Sequence, residues 1–195
     1  SLVGTSGADY IDALGGNDNI YGGEGNDTLV GGDGNDNLFG EDGDDILIGG
    51  PGNDYLIGGN GADTYLFEPG FGHDAIDNSD DDPSGDNPDI IQFGAGISPA
   101  NTVLERQGYD LIIRVTYPET QQAEDSIRVY SYFDKQGTTS ATVNFINFDD
   151  GTSWDYDYVR QHWNSAPDAL GGVILEGGDG ADRMYGTDNN DILIG

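Results

Sequence analysis

The chain has 195 residues, 37 acids against 6 bases, a net charge of -31 and no cysteine. That balance excludes nucleic acid and anionic membrane surfaces as partners and points to metal cations; the missing thiol excludes disulfides and Cys-ligated zinc or iron–sulfur centres. No apolar run approaches the roughly 18 residues that a membrane-spanning helix needs.

The bases are Arg106, Arg114, Arg128, Lys135, Arg160 and Arg183, so the first 105 residues hold no positive side chain. Such a segment repels itself and stays expanded unless cations neutralise it. The opening SLVGTSG carries neither a charged nor an apolar leader region, and Gly195 falls where another repeat would start, so both ends read as cuts within a longer protein.

From Gly4 to Leu66 the sequence falls into seven nonapeptides without insertion: GTSGADYID, ALGGNDNIY, GGEGNDTLV, GGDGNDNLF, GEDGDDILI, GGPGNDYLI and GGNGADTYL. Position 4 is always Gly, position 6 always Asp, and position 8 always apolar or Tyr. Glycines permit a tight turn whose carbonyls converge, and a hard cation such as Ca²⁺ takes about six to eight oxygens from carbonyls and carboxylates. The last three residues of each copy alternate, which predicts a short strand with Ile11, Ile20, Leu29, Leu38, Leu47, Leu56 and Tyr65 pointing inward. A polar linker would not hold an acid at every ninth residue, and no G-x-x-x-x-G-K-[ST] phosphate loop occurs. Two more copies, GGDGADRMY and GTDNNDILI, occupy 177–194.

The pattern resembles the calcium-binding RTX nonapeptide, G-G-x-G-x-D-x-U-x. The resemblance implies an all-β fold, a parallel β-roll in which two copies make one 18-residue turn. It also implies ions held between stacked turns by Asp9, Asp27, Asp45 and Asp63 on one edge and by Asp18, Asp36 and Asp54 on the other, with Asp182 and Asp191 in the C-terminal copies. Loop carbonyls would come from Gly22, Glu24 and Gly25, from Gly31, Asp33 and Gly34, from Gly40, Asp42 and Gly43, from Gly49 and Gly52, and from Gly58, Asn60 and Gly61. Neighbours two copies apart give three sites on the first edge and two on the second, about five calcium ions in all.

From Phe67 the composition changes. DIIQFG (89–94), YDLIIRVTY (109–117), DSIRVYSYF (125–133) and TVNFINFDDG (142–151) read as strands of a half-buried antiparallel sheet with Arg114 and Arg128 facing out. SWDYDYVRQHW (153–163) reads as a helix with Ser153 as N-cap. The phrases FGHDAIDN, PDIIQFGAGISPANTVLERQGYDLIIRV and NFINFDDGTSW resemble the hemolysin-type calcium-binding-related domain, which implies a small β-rich spacer or cap and brings no established catalysis. The expected organisation is therefore a roll over 1–66, an inserted β-rich domain over 67–165, and a linker with two further repeats over 166–195.

Other constellations carry less. IDNSDDDPSGDNPD fits an EF-hand at Asp80, Asp82, Ser84 and Gly85 but has Ile91 where a bidentate Glu is required, leaving at most one weak ion at Asp77, Asp80, Asp82 and Asp86. His73 and His162 lie outside any H-E-x-x-H, and no G-x-S-x-G elbow exists. Tyr130 and Tyr132 share an outward parity and could stack on a sugar, whereas Phe133 shares the inward parity of Ile127 and Val129. The expected function is that of a multi-site calcium-binding module, not an enzyme, of a secreted bacterial exoprotein: monomeric, extracellular, unfolded during type I secretion and folded by external Ca²⁺. The alternatives are a polysaccharide- or cell-surface-binding adhesin segment and an accessory domain of an extracellular enzyme.

Overall fold

The computed structural model describes residues 1–78, 87–117, 124–133 and 143–163, and the backbone of 164–165, 174–176 and 192–194. Residues before Gly4 form β1 (Leu2–Val3), and each nonapeptide then supplies one strand that contains its position 8, the longer ones running on into the next copy. In order these are β2 (Tyr10–Asp12), β3 (Asn19–Glu24), β4 (Thr28–Val30), β5 (Asn37–Asp42), β6 (Ile46–Ile48), β7 (Tyr55–Asn60) and β8 (Thr64–Phe67). Odd strands pair in parallel in one sheet and even strands in another, so that two copies complete a turn. The register is Ile20↔Leu38↔Leu56 in the first sheet and Ile11↔Leu29↔Leu47↔Tyr65 in the second. This is the parallel β-roll expected from the repeat.

Ile20, Leu29, Leu38, Leu47, Leu56 and Tyr65 have no exposed surface; Ile11, in the first turn, has a neighbouring turn on one side only and is partly buried. Burying a Leu or Ile contributes about 1.5–3 kcal/mol, so one such side chain per nine residues makes a thin core. Position 2 of the repeat turns the chain through the left-handed region, with φ of 109° at Gly23 and 94° at Gly32. Leu14 (φ 67°) and Glu41 (φ 78°) take that position without glycine's freedom.

Both sheets run on past residue 66. They are joined by β9 (His73–Ile76), β10 (Ile90–Phe93), β11 (Thr102–Gln107), β12 (Asp110–Val115), β13 (Asp125–Val129), β14 (Phe145–Asn147), β15 (Ser153–Asp155) and β16 (Asn164–Ser165). The inner ladder continues as Leu56↔Ile76↔Val129↔Leu111 in one sheet and Tyr65↔Ile91↔Ile146↔Trp154 in the other. Each stretch read as a strand contains one, and β12 and β13 are antiparallel as expected; β9 and β11 lie outside those stretches, β11 pairing antiparallel with β12. The expected antiparallel sheet fails at β10 and β14, because β10 with β8 and β14, like β9 with β13, pairs in parallel to extend the roll. Arg114 and Arg128 face outward, paired with Glu105 and Glu124 and with Asp110 respectively.

Two local expectations fail. Ser153 is in β15, and the helix α1 (Tyr156–His162) is capped by Asp155, whose carboxylate accepts from the Tyr158 amide at 2.8 Å. Tyr132 is 1% exposed, because β13 ends at Val129 and Ser131 adopts a φ of 53°, which breaks the alternation that would have turned Tyr132 outward. Phe133 is buried as expected. Near the C-terminus β17 (Ile174–Glu176) pairs in parallel with β18 (Ile192–Ile194), Ile174↔Ile192, repeating the 18-residue offset in a sheet of their own. β17 comes from the stretch read as linker.

Candidate metal centre: two ladders of buried aspartates

Position 6 of each copy sits where the turn enters the strand, and stacking the turns brings these aspartates into line. Along one edge the Asp9 amide donates to Asp27 Oδ1 at 2.7 Å, the Asp27 amide to Asp45 Oδ1 at 2.7 Å, and the Asp45 amide to Asp63 Oδ1 at 2.9 Å. Along the other, the Asp18 amide donates to Asp36 Oδ1 and the Asp36 amide to Asp54 Oδ1. Asp27, Asp36, Asp45, Asp54 and Asp63 are each no more than 2% exposed. Asp9 and Asp18 belong to the open first turns and are half-buried. The Oδ2 of Asp9 accepts from the Thr5 amide and hydroxyl, which hold its carboxyl below the usual carboxylate range, and Asp18 lies 3.7 Å from the amino terminus.

The second carboxylate oxygen decides what the ladders can do. The Oδ2 atoms of Asp27, Asp36, Asp45 and Asp54 are buried and receive no hydrogen bond. A buried oxygen of this kind costs free energy unless a proton or a cation meets it. Each lies against the position-1 glycine of its own copy, and those of Asp27, Asp36 and Asp45 stand beside a carbonyl from the following turn. A Cβ on Gly22 would stand 2.5 Å from Asp27 Oδ2 and 2.7 Å from the Gly40 carbonyl; on Gly31, 2.5 Å from Asp36 Oδ2 and 2.6 Å from the Gly49 carbonyl. A Cβ on Gly40 would meet Asp45 Oδ2 and the Gly58 carbonyl more closely still. Glycine is required here because side-chain and main-chain oxygens converge on its α-carbon.

Among the expected carbonyl donors, those of Asp33, Asp42 and Asn60 accept from the amides of Gly16, Gly25 and Gly43, each keeping a second lone pair. Those of Gly25, Gly34 and Gly43 lie against the α-carbons of Gly43, Gly52 and Gly61 one turn on, and the Gly52 carbonyl accepts from the His73 amide. Among the described residues no three His, Asp or Glu side chains gather at one point, so a cation held at one of these carboxylates would have to draw its remaining oxygens from the main chain. One carboxylate oxygen with several carbonyls is a donor set suited to a hard divalent cation such as Ca²⁺. Asp182, Asp191, and the acidic loop residues Asp80, Asp82, Ser84, Gly85 and Asp86 lie outside the described residues. Asp77 accepts from the Tyr55 hydroxyl at 3.0 Å.

Electrostatics agree with this chemistry. Burial first, and then the neighbouring carboxylates along each ladder, push the carboxyls of Asp45 and Asp54 up to about 6, partly offset by the amide each accepts. Asp36 is raised for the same reasons. Burial also lifts Asp74 to about 8.

Asp74 belongs to rungs that counting in nines does not find. The Asp54 amide donates to Asp74 Oδ1 and the Asp63 amide to Asp89 Oδ1, each at 2.8 Å, and the Asp89 amide donates to Asn144 Oδ1 at 2.8 Å. PGFGHDAID (69–77) keeps the G-x-G-x-D-x-U core, but the extra Phe67 and Glu68 shift its register by two residues. Asn87, Asp89 and Ile91 keep positions 4, 6 and 8 after a longer insertion. The histidines take no part: His73 Nδ1 is 3.0 Å from Ser126 Oγ, and His162 stacks on Tyr158. Of the sugar-stacking pair only Tyr130 is exposed, edge-on to Tyr55 with Arg128 over its ring.

Two protein families are found in the sequence. The RTX calcium-binding nonapeptide repeat matches residues 1–29, 30–65 and 174–195, and the haemolysin-type calcium binding protein related domain matches 110–158. The chain carries RTX calcium-binding repeats. The first block of RTX repeats stops at residue 65 in that match, whereas the aspartate ladders run on to Asp74 and Asp89. The iron-regulated protein FrpA of Neisseria meningitidis serogroup C is 40% identical over 132 residues, 68% of this chain and 10% of FrpA, so the chain spans about a tenth of that relative's length. The solved AlgE6R3 subunit of the Azotobacter vinelandii mannuronan C5-epimerase aligns over 93% of each chain at 24% identity with a TM-score of 0.34. The β-roll assignment rests on the strand register and the RTX repeats.

Proposed function

We propose that this chain is the calcium-driven folding module of a secreted protein: disordered where calcium is scarce, closed into the roll by extracellular Ca²⁺, with about five ions in the seven N-terminal copies. The observation that carries the reading is the row of buried Oδ2 atoms at Asp27, Asp36, Asp45 and Asp54, which receive no hydrogen bond and, at Asp27, Asp36 and Asp45, stand beside a main-chain carbonyl of the following turn. Without ions, several like charges stand one turn apart in a poorly solvated edge, and the single apolar side chain per repeat offsets little of that repulsion. Each bound Ca²⁺ cancels two negative charges and supplies the partner that Oδ2 lacks.

The module acts by binding ions and not by catalysis, works as a monomer outside the cell, and lets the chain pass unfolded through a type I exporter from a low-calcium cytosol. Its test is a calcium titration followed by far-UV circular dichroism, with magnesium as control and with Asp27→Ala, Asp36→Ala and Asp45→Ala alongside. A cooperative, calcium-specific gain of β structure that each substitution weakens is the expected result. A folded spectrum in calcium-free buffer, unchanged on adding calcium, would overturn the reading.

A further inference from the structure

The aspartate ladders end differently on the two edges. On the first edge Asp89 Oδ2 receives the Asn78 side-chain amide at 2.7 Å, Asn78 Oδ1 accepts from the Tyr65 hydroxyl at 2.7 Å, and the next rung is the neutral Asn144. The protein thus supplies its own donor there and then drops the charge. On the second edge the last rung is Asp74, 3% exposed, whose Oδ1 takes the Asp54 amide while its Oδ2 is buried with no hydrogen-bond donor. No acid continues that ladder, because the strand pairing sets Ile127 opposite Asp74.

A second buried acid covers the loop before Asp74. Asp125, also 3% exposed, accepts from the Gly72 amide with Oδ1 at 3.2 Å, and from the Gly70 amide and the Tyr117 hydroxyl with Oδ2 at 2.7 and 2.6 Å. Gly70 and Gly72 are positions 2 and 4 of the degenerate copy 69–77. In the regular repeats those amides go to carbonyls of the following turn: Gly32 to Gly49, and Gly25 to Asp42. The Gly49 carbonyl is the oxygen that stands beside Asp36 Oδ2. The Asp125 carboxylate therefore takes the place of the next turn's carbonyls over Asp74, bringing a negative charge where the repeats offer a neutral oxygen.

We infer that Asp74 and Asp125 bind one further divalent cation, calcium by their oxygen-only chemistry, at the seam where the repeats join the strands that follow. The site rests on the calcium reading above but lies outside the regular nonapeptides and uses two carboxylates where the repeats use one. A single ion there meets the bare Oδ2 of Asp74 and neutralises both acids, closing the open end of the second ladder as Asn78 closes the first.

Two measurements test it. Anomalous difference maps from crystals of the calcium-loaded wild-type protein should show a peak about 2.3–2.6 Å from Asp74 Oδ2 and from an Asp125 oxygen, in addition to peaks beside Asp27, Asp36 and Asp45. Peaks in the repeats with none at Asp74 would overturn this site and leave the calcium module standing; no peak anywhere would overturn both. In solution, calorimetric titration of the full chain should count one calcium fewer in Asp74→Asn than in wild type, with tryptophan fluorescence verifying that the variant is folded. An unchanged count in the folded variant would overturn the inference. Should the variant not fold in calcium, the wild-type map decides alone.

Discussion

At the scale of single residues, what distinguishes one repeat from the next is whether glycine stands where the oxygens and the turn require it. Gly40 is buried against Asp45 Oδ2 and the Gly58 carbonyl. Gly40→Ala puts a methyl group into the space shared by those oxygens, and it should weaken calcium binding at least about tenfold and lower the stability of the loaded protein by at least about 2 kcal/mol. Calorimetry and urea unfolding in calcium check both. A neutral result would mean that the ion does not sit at this point. The opposite substitution exists one residue on. Glu41 is exposed and held at φ 78°, in the region where the other copies place glycine. Left-handed backbone costs an L-residue about 1–2 kcal/mol, part of which glycine returns through its greater unfolded-state entropy, so Glu41→Gly should stabilise the calcium-loaded roll by about 1 kcal/mol. Urea unfolding in saturating calcium measures it, and a destabilised variant would mean that the Glu41 side chain contributes more than its backbone costs.

At the scale of elements, the ladders make folding respond to pH in opposite senses with and without calcium. Asp45 and Asp54 titrate near 6 and Asp74 near 8 in the roll, against an ordinary 3.8, so between those limits the folded chain holds more protons than the unfolded one. Stability then falls as pH rises, and the penalty is absent below about 3.8 and complete above about 8. In calcium-free buffer the β signal should therefore grow as pH is lowered from 8 towards 5, whereas in calcium the midpoint of the titration should move to higher concentration over the same range, because protons compete for the same oxygens. Circular dichroism at pH 5 and 7.5 reads both; a midpoint that does not move would mean that the carboxylates are not ligands. These elements were unequally legible in the sequence. The seven strands β2 to β8, the inward Leu and Ile ladder and the aspartate rungs follow from a period of nine that never slips. The rungs at Asp74 and Asp89 were hidden because two extra residues, Phe67 and Glu68, and then a longer insertion shift the phase while the G-x-G-x-D-x-U core survives. Tyr132 was misread because alternation holds only while the strand lasts, and Ser131 ends it. The Asp125 contact was beyond reach, since nothing local announces that an acid 53 residues on will cap the amide of Gly72.

At the scale of the whole molecule, the two sheets pass from the repeats into the strands that follow. β9 pairs with β7 and β13, and β10 with β8 and β14, so the second half of the chain is built on the edge that the repeats present. Both tryptophans lie in that half: Trp154 is buried in register with Ile146 and against Phe148, and Trp163 packs on Phe133. The repeats contain none. If the calcium-bound turns are the template on which β9 and β10 assemble, removal of calcium from the repeats should expose tryptophans that touch no ion. Fluorescence emission should shift to the red at the same calcium concentration at which far-UV circular dichroism loses its β signal, giving coincident transitions of one cooperative unit. Asp27→Ala, which removes a rung far from either tryptophan in the sequence, should move both curves together to higher calcium. Separate midpoints, with the tryptophan signal unaffected by Asp27→Ala, would mean that the later strands fold on their own and that their sheet pairing with the repeats transmits no stability.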